Sequence, residues 1–340
     1  MNLSDFDYEY PEELVAQHPL EDRGASRLLA LDRATGKRLH GTFADLPSYF
    51  TAGDVLVLNE SRVINARLFG TRDNGRQAEV LLVHPEPEGE WLAMVHPGGK
   101  LKVGRTVRFG DEAVLRVTGI VGGGLRKLQL EGGLSWNQLM EQYGSVPLPP
   151  YIQRHPDPDD RERYQTVFAR AHGSVAAPTA GLHFTERLLS DIRGQGIEVV
   201  HIVLHVGPGT FKPVQVADFS RHQMHAEWYA VPEGTAEIID AARGQGRRIW
   251  AVGTTVTRVL ETVGRDGAIR AGTGWTDLFI RPPCDFRVVR GLITNFHLPR
   301  STLLMLVCAF GGYENVMRAY REAVERRYRL FSYGDAMVIA

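Results

Sequence analysis

Five of the twelve histidines in this 340-residue chain fall between His183 and His225. They lie in three stretches rich in glycine and proline or flanked by them: AAPTAGLHFTE (Ala176–Glu186), HIVLHVGPGTFKPV (His201–Val214) and HQMHAEW (His222–Trp228). Turn-forming residues this close to ionisable groups suggest backbone shaped for close approach to a ligand. Imidazoles and a carboxylate such as Glu227 can move protons near neutral pH. The spacings His201-x-x-x-His205 and His225-x-Glu227 are also those of metal ligands. His201, however, falls in the middle of an apolar run, where a hydrogen-bonded core histidine is the better reading, so no metal is expected. The two-residue spacing of His225 and Glu227 puts both on one side of an extended segment. Other chemistries lack their signatures. The chain has no Walker loop, no G-x-G-x-x-G after a strand, no H-E-x-x-H and no G-x-S-x-G elbow, which disfavours P-loop phosphoryl transfer, Rossmann hydride transfer and serine hydrolysis.

The elements that must position these groups divide by texture. Leu28–Asp32, Asp54–Asn59 and Ile197–Val206 are continuous apolar runs and read as buried strands. A bridge over Phe43–Phe50 joins the first two. From about Arg67 to Gly133 the pattern alternates instead, in short β-rich runs at Ala78–Val83, Trp91–Val95, Thr106–Phe109, Ala113–Thr118 and Leu125–Leu130. Short strands with turns between them predict a small barrel or sandwich. Ser135 caps a helix over Ser135–Tyr143, and Pro147, Pro149 and Pro150 mark the return to the first unit. The spacing then predicts a helix capped by Thr185, a helix over Thr235–Arg243, and a strand over Arg248–Val252. Gly253-Thr254-Thr255 turns into a further helix, a form that presents free N–H groups to an anion. Strands at Trp275–Ile280, Leu292–Asn295 and Met337–Ile339, with helices over Ser301–Ala309 and Glu314–Arg326, complete the pattern. The fold class is therefore an α/β main domain, residues 1–66 and 146–340, with an inserted all-β, barrel-like domain, residues 67–145. Ligands bind at the carboxyl ends of strands in open α/β sheets. The polar groups expected there are His183, His205, His225, Glu227, Thr254, Thr255, Asp277 and His297.

Composition narrows the setting. Apolar content of 43% and charged content of 23% are those of a soluble globular protein. No apolar run is long enough to span a membrane, and the acidic N-terminus is not an export signal. Two cysteines, Cys284 and Cys308, cannot form a disulfide framework, so a cytoplasmic location is expected. A net charge of −1 excludes a globally basic nucleic-acid coat but allows a local basic face. These residues define an enzyme with a general acid–base site and a small, nucleotide-like ligand.

Taken in order, longer motifs carry more. They are Asp5–Arg33, NESRVINARLFG (Asn59–Gly70), PLPPYIQR (Pro147–Arg154), Asp160–Thr185, HVGPGTFKPV (His205–Val214) and MHAEWYAV (Met224–Val231). GTTVTRVLE (Gly253–Glu261), Thr276–Gly312 and YRLFSYGDAMVI (Tyr328–Ile339) follow. The set resembles the S-adenosylmethionine:tRNA ribosyltransferase-isomerase family of queuosine biosynthesis over nearly the whole chain, most weakly in the β-rich insert. Small departures are Asn59-Glu60-Ser61, where the family reads closer to N-D/N-T, and Pro208, where alanine is common. The resemblance implies transfer and isomerisation of the ribosyl moiety of S-adenosylmethionine onto 7-aminomethyl-7-deazaguanine at the tRNA wobble position. The product is epoxyqueuosine, and adenine and methionine leave. S-adenosylmethionine is then a co-substrate, no cofactor is bound permanently, and the partner is the tRNA carrying that base; the chain is expected to act as a monomer. On this resemblance His183, His205, His225, Glu227 and His297 form the acid–base pocket. Thr179, Gly181, Gly207, Gly209, Thr210, Thr254, Thr255 and Asp277 contact the co-substrate, and Arg62, Arg67, Arg154 and Arg281 contact tRNA phosphates. Two rivals are an S-adenosylmethionine-dependent RNA methyltransferase and a non-catalytic RNA-binding protein.

Overall fold

A computed structural model describes residues 1–207, 209, 222 and 224–340. The chain opens with strands β1 (Arg27–Leu31), β2 (Arg38–Thr42), β3 (Val55–Asn59), β4 (Ser61–Val63) and β5 (Arg67–Arg72). Strands β6 (Gln77–Pro85), β7 (Trp91–His96), β8 (Thr106–Phe109), β9 (Ala113–Ile120) and β10 (Arg126–Gly132) follow, then helix α1 (Trp136–Tyr143) and strand β11 (Gly144–Ser145). Next come α2 (Asp160–Arg163), β12 (Ala171–Ser174), α3 (Glu186–Gly194), β13 (Glu198–Leu204), β14 (Glu227–Val231) and α4 (Glu233–Gly244). The chain ends with β15 (Ile249–Val252), α5 (Thr254–Val263), β16 (Gly272–Thr276), β17 (Gly291–Asn295), α6 (Thr302–Gly311), α7 (Tyr313–Glu325) and β18 (Ala336–Ile339).

Nine of these strands form one sheet in the order β16-β14-β13-β3-β15-β17-β18-β1-β2. Its centre, β13-β3-β15-β17, is parallel. These strands are apolar on successive residues because both faces are covered. Leu29, Leu31, Val55 and Val57 pack against α4 to α7, while Leu28, Ala30, Leu56 and Leu58 pack against α3 and Phe43. Strand direction reverses between β17 and β18. The carboxyl ends of the four central strands therefore share one edge, from which the segments starting at Glu60, His205, Gly253 and Phe296 emerge.

The alternating region closes into an antiparallel barrel, β5-β6-β7-β10-β9-β8, sealed by pairing of β5 with β8. Alternation along β6 and β9 follows from one face packing inward on Leu68, Val80, Leu82 and Leu115. The chain leaves the main sheet at the carboxyl end of β3, passes through β4, and returns through β12. These two entry and exit strands pair in parallel with each other. The barrel is thus mounted on the carboxyl edge of the main sheet.

Ser135 and Thr185 cap their helices as expected, each accepting a backbone N–H three residues on. One expected strand is displaced. It covers Gly272–Thr276, and Trp275–Ile280 does not continue it. The reason is that Arg258 on α5 takes the carbonyls of Thr276 and Leu278 as acceptors, at 3.2 and 3.1 Å. Past Thr276 the backbone is held by a side chain and not by a neighbouring strand.

Candidate active site

The buried amide of Asn59 sets the carboxyl edge. It accepts the N–H of Leu204 and donates to the Leu204 carbonyl, both at 3.0 Å. It also accepts from Ser61 N at 3.1 Å. One side chain thereby fixes the end of β3 to the end of β13. Ser174 continues this work: its hydroxyl accepts from Val206 N at 2.8 Å and donates to the Ala176 carbonyl at 2.8 Å. The segments before Thr179 and after Leu204 are locked side by side.

Against this frame lies a narrow cavity of about 40 Å³, lined by Thr179, Gly253, Thr254, Thr255, Asn295 and His297 among others. At roughly 10–15 Å³ for a water-sized group, it takes about three such groups. Gly253 begins α5 at φ +93° and supplies no side-chain cap, so the first N–H groups of the helix are available to an anion. Thr255 Oγ1 and Asn295 Oδ1 are shut away from solvent and have no hydrogen-bond partner among the described residues. Buried polar atoms are almost always paired, and two unpaired ones at one cavity point to a polar ligand.

The predicted acid–base residues do not form one cluster. His183 is buried behind the cavity and stacks on Phe43 at 4.9 Å. Asn295 Nδ2 also faces the Phe331 carbonyl, which fixes its amide orientation, so it donates to His183 Nε2 at 3.0 Å. Nδ1 then carries the proton and donates to Ser26 Oγ at 2.9 Å. Burial, with Arg23 and Arg329 nearby, pushes His183 down to about 3. With both nitrogens engaged, His183 orients Asn295 and is not poised to exchange protons. His297 lines the cavity, bonds Thr294 Oγ1 through Nε2 at 2.8 Å, and is pushed down to about 3 by burial. It stands neutral at physiological pH.

His205, just past β13, lines a second and larger cavity with Gly207 and Glu227. Its ring stacks on Trp228 at 5.0 Å, Nδ1 has no partner among the described residues, and burial lowers its pKa. Gly173 makes room for it. At φ +137°, an added Cβ would stand 2.7 Å from His205 Nε2. His225 is exposed and packs over Gly209, whose added Cβ would lie 2.4 Å from the ring. Glu227, by contrast, is buried. It forms an ion pair with Arg258 and accepts the N–H of Gly207 at 2.8 Å. The shared side expected for His225 and Glu227 gives way to two different environments, because β14 begins at Glu227 and turns it inward against α5.

The other expected contacts divide in the same way. Gly181 faces Thr166 and Phe168 in the core, within 2.9 Å of an added Cβ, so it serves packing. Asp277 is exposed beyond β16. Thr210 lies outside the described residues. Arg154 is committed to buried Asp160 through two hydrogen bonds of 2.5 and 2.8 Å, and to the Gln17 carbonyl at 2.9 Å. Arg67 pairs with Glu79 at 3.0 Å, while Arg62 and Arg281 are partly exposed. Two residues went unassigned in the sequence: Arg258, which ties Glu227 to the end of β16, and Asn295, which opens onto the cavity. A charged residue among the apolar positions Val256, Val259 and Leu260 was the available signal for Arg258.

Residues 3–339 match the family described as queuosine biosynthesis protein. An S-adenosylmethionine:tRNA ribosyltransferase-isomerase from Moorella thermoacetica is 53% identical over 344 residues, covering 100% of both chains. A protein of the same name from Symbiobacterium thermophilum is 51% identical, again over 100% of both. The crystal structure of an S-adenosylmethionine tRNA ribosyltransferase from Thermotoga maritima shares 39% identity with a TM-score of 0.58. That match covers 99% of this chain and 100% of the other. With matches of this identity over its full length, the chain belongs to the queuosine biosynthesis protein family.

Proposed function

We propose that the protein is an S-adenosylmethionine:tRNA ribosyltransferase-isomerase acting as a monomer in the cytoplasm. In this reading it moves and rearranges the ribosyl group of S-adenosylmethionine onto 7-aminomethyl-7-deazaguanine at the tRNA wobble position. S-adenosylmethionine is a co-substrate, and adenine and methionine are released. Residues 1–66 and 146–340 act as the catalytic domain and 67–145 as the inserted barrel. The observation that carries the reading is the polar cavity at the uncapped start of α5, with Thr255 Oγ1 and Asn295 Oδ1 unpaired among the described residues. Its size suits the carboxylate and amino group of the methionine end, with Thr179 and Thr254 beside them.

The reaction needs a base for the proton next to the sulfonium, an acid for departing adenine, and a base for the incoming ammonium. His297 and His205, both held neutral, are the candidates for accepting protons. Glu227, fixed by Arg258, holds the Gly207 backbone in place. Arg62, Arg67 and Arg281 are the candidate phosphate contacts, whereas Arg154 serves the fold. The test is incubation with S-adenosylmethionine and an anticodon stem-loop carrying the aminomethyl base, followed by chromatography. Free adenine with methionine is expected. S-adenosylhomocysteine would identify a methyltransferase, and unconsumed co-substrate with bound RNA a non-catalytic binder. Thr255→Val is expected to raise the KM for S-adenosylmethionine about tenfold, the scale of one lost hydrogen bond to a charged group.

A further inference from the structure

The larger cavity, about 410 Å³, is a different kind of site. It opens between the two parts of the molecule. The barrel contributes Val83, Pro85 and Trp91, and the sheet contributes Trp228 and Trp275. Its volume is within the range of small-molecule pockets, about 300–1,000 Å³. Three of the five tryptophans in the chain line it. Trp275 is 54% exposed, although indole is costly to leave in water, and His84 meets it edge-on at 5.6 Å. An exposed, laterally braced indole at a cavity mouth is a stacking platform. The inner end is polar: His205, with Nδ1 unpartnered among the described residues, and the Glu227 carboxylate.

We propose that this cavity receives a nucleobase everted from its RNA loop, stacked against Trp275 and Trp91, with a cationic arm directed toward Glu227 and His205. Apolar walls suit the base plane, and the acceptor atoms at the inner end, the Glu227 carboxylate in its pair with Arg258 and the His205 ring, suit a donating ammonium. Single-stranded loops are read by unstacking bases onto aromatic side chains in this way. His205 and Gly207 line this cavity while the intervening Val206 lines the smaller one. The two ligands would therefore meet across a single residue of backbone. The barrel acquires a role in specificity, since the receptor is incomplete without Trp91. This inference rests on the proposed reaction, and its test separates the two.

Affinities of two anticodon stem-loops would be measured, one with 7-aminomethyl-7-deazaguanine at the wobble position and one with guanine. The parent protein is expected to prefer the modified loop. Trp275→Ala should weaken binding of the modified loop about tenfold, toward the lower end of what one lost base–aromatic stack costs. The KM for S-adenosylmethionine should stay unchanged, and Trp275→Phe should restore most of the loss. Because Trp275 is half in solvent, its removal spares the core. A parent protein that does not distinguish the loops, or a Trp275→Ala variant that binds both as the parent does, overturns the proposal. Release of adenine by the parent alongside an unaffected Trp275→Ala variant sinks the pocket and leaves the reaction standing. Selective binding lost in Trp275→Ala, without adenine release by the parent, does the reverse.

Discussion

Arg258→Met is expected to be among the most destabilising substitutions in the molecule. Arg258 and Glu227 are only 3% and 5% exposed. Removing one partner leaves the other charge buried and uncompensated, at a cost of about 3–5 kcal/mol. The same change frees the carbonyls of Thr276 and Leu278, which Arg258 now satisfies. Domain stabilities are roughly 5–15 kcal/mol, so this is a large fraction of the total. With about 2–4 °C of Tm per kcal/mol in a large domain, the fall in Tm should be near 10 °C. Glu227→Gln should cost a similar amount, since a neutral amide leaves the guanidinium uncompensated and must present its N–H₂ to either Arg258 or the Gly207 N–H. The double variant should lose clearly less than the two single losses added, by about 2 kcal/mol or more, because neither charge is then left alone. Urea unfolding followed by circular dichroism measures each corner of the cycle. Adenine release, assayed well below the transition, separates damage to the site from damage to the fold. A loss under about 1 kcal/mol in Arg258→Met, or strictly additive single losses, would refute the buried-pair reasoning.

Three further outcomes are expected. His183 and His297 have native values of about 3 against an ordinary 6.5, so the unfolded chain binds protons that the native state refuses. Their stabilisation is complete above pH 6.5 and is lost as the pH falls toward 3, by up to about 1.4 kcal/mol per pH unit for each. The urea midpoint should drop between pH 7 and pH 5, and an unchanged midpoint would contradict the assignment. Gly173→Ala forces a Cβ to within 2.7 Å of His205 Nε2 and onto an unfavourable φ. Adenine release should fall more than about tenfold, as expected when an acid–base group is displaced, and a parental rate would show that the ring position is immaterial. If Arg62, Arg67 and Arg281 each neutralise one phosphate, stem-loop affinity should fall about an order of magnitude between 50 and 200 mM salt, from a slope near −2. A flat dependence would remove these arginines from the RNA face.

The fold was legible where burial imposes a pattern. Strands β1, β3, β13 and β18 announce themselves as apolar runs because helices cover both faces, and the barrel announces itself by alternation. Strand β5 was hidden because it begins inside the polar stretch NESRVINARLFG and carries Arg67 and Arg72, although Leu68 and Gly70 face inward. The histidines stood out as candidates, but neither their arrangement in space nor their roles were legible. The role of His183 depends on Ser26 and Asn295, which are 157 and 112 residues away in sequence, and no local spacing encodes such partners. Arg154 looked like a phosphate ligand because Asp160, its bidentate partner, reads as one more charge on a solvated surface. Glu227 suggested a pair with its near neighbour His225, while its partner Arg258 enters from another element, 31 residues on.

Under the proposed reaction, in which the ligand is a sulfonium, the electrostatics of the site are coherent. A cation entering the site lowers the pKa of nearby imidazoles further, in the same direction as burial already does for His205 and His297. Both effects favour neutral imidazole, so under the proposed reaction the base needs no activating partner. The same environment makes a protonated histidine unstable, hence a strong acid. A proton taken from carbon beside the sulfonium is therefore under pressure to leave, and departing adenine is a basic acceptor. One buried imidazole can then serve first as base and afterwards as acid. A carboxylate next to it would spoil this by stabilising the imidazolium. Glu227, lining the same cavity as His205, carries its own buried guanidinium and so reduces that effect. On this argument Arg258 tempers the field at His205 as well as holding the fold. Replacing it should make the surviving histidine a weaker acid, and should slow adenine departure more than co-substrate binding.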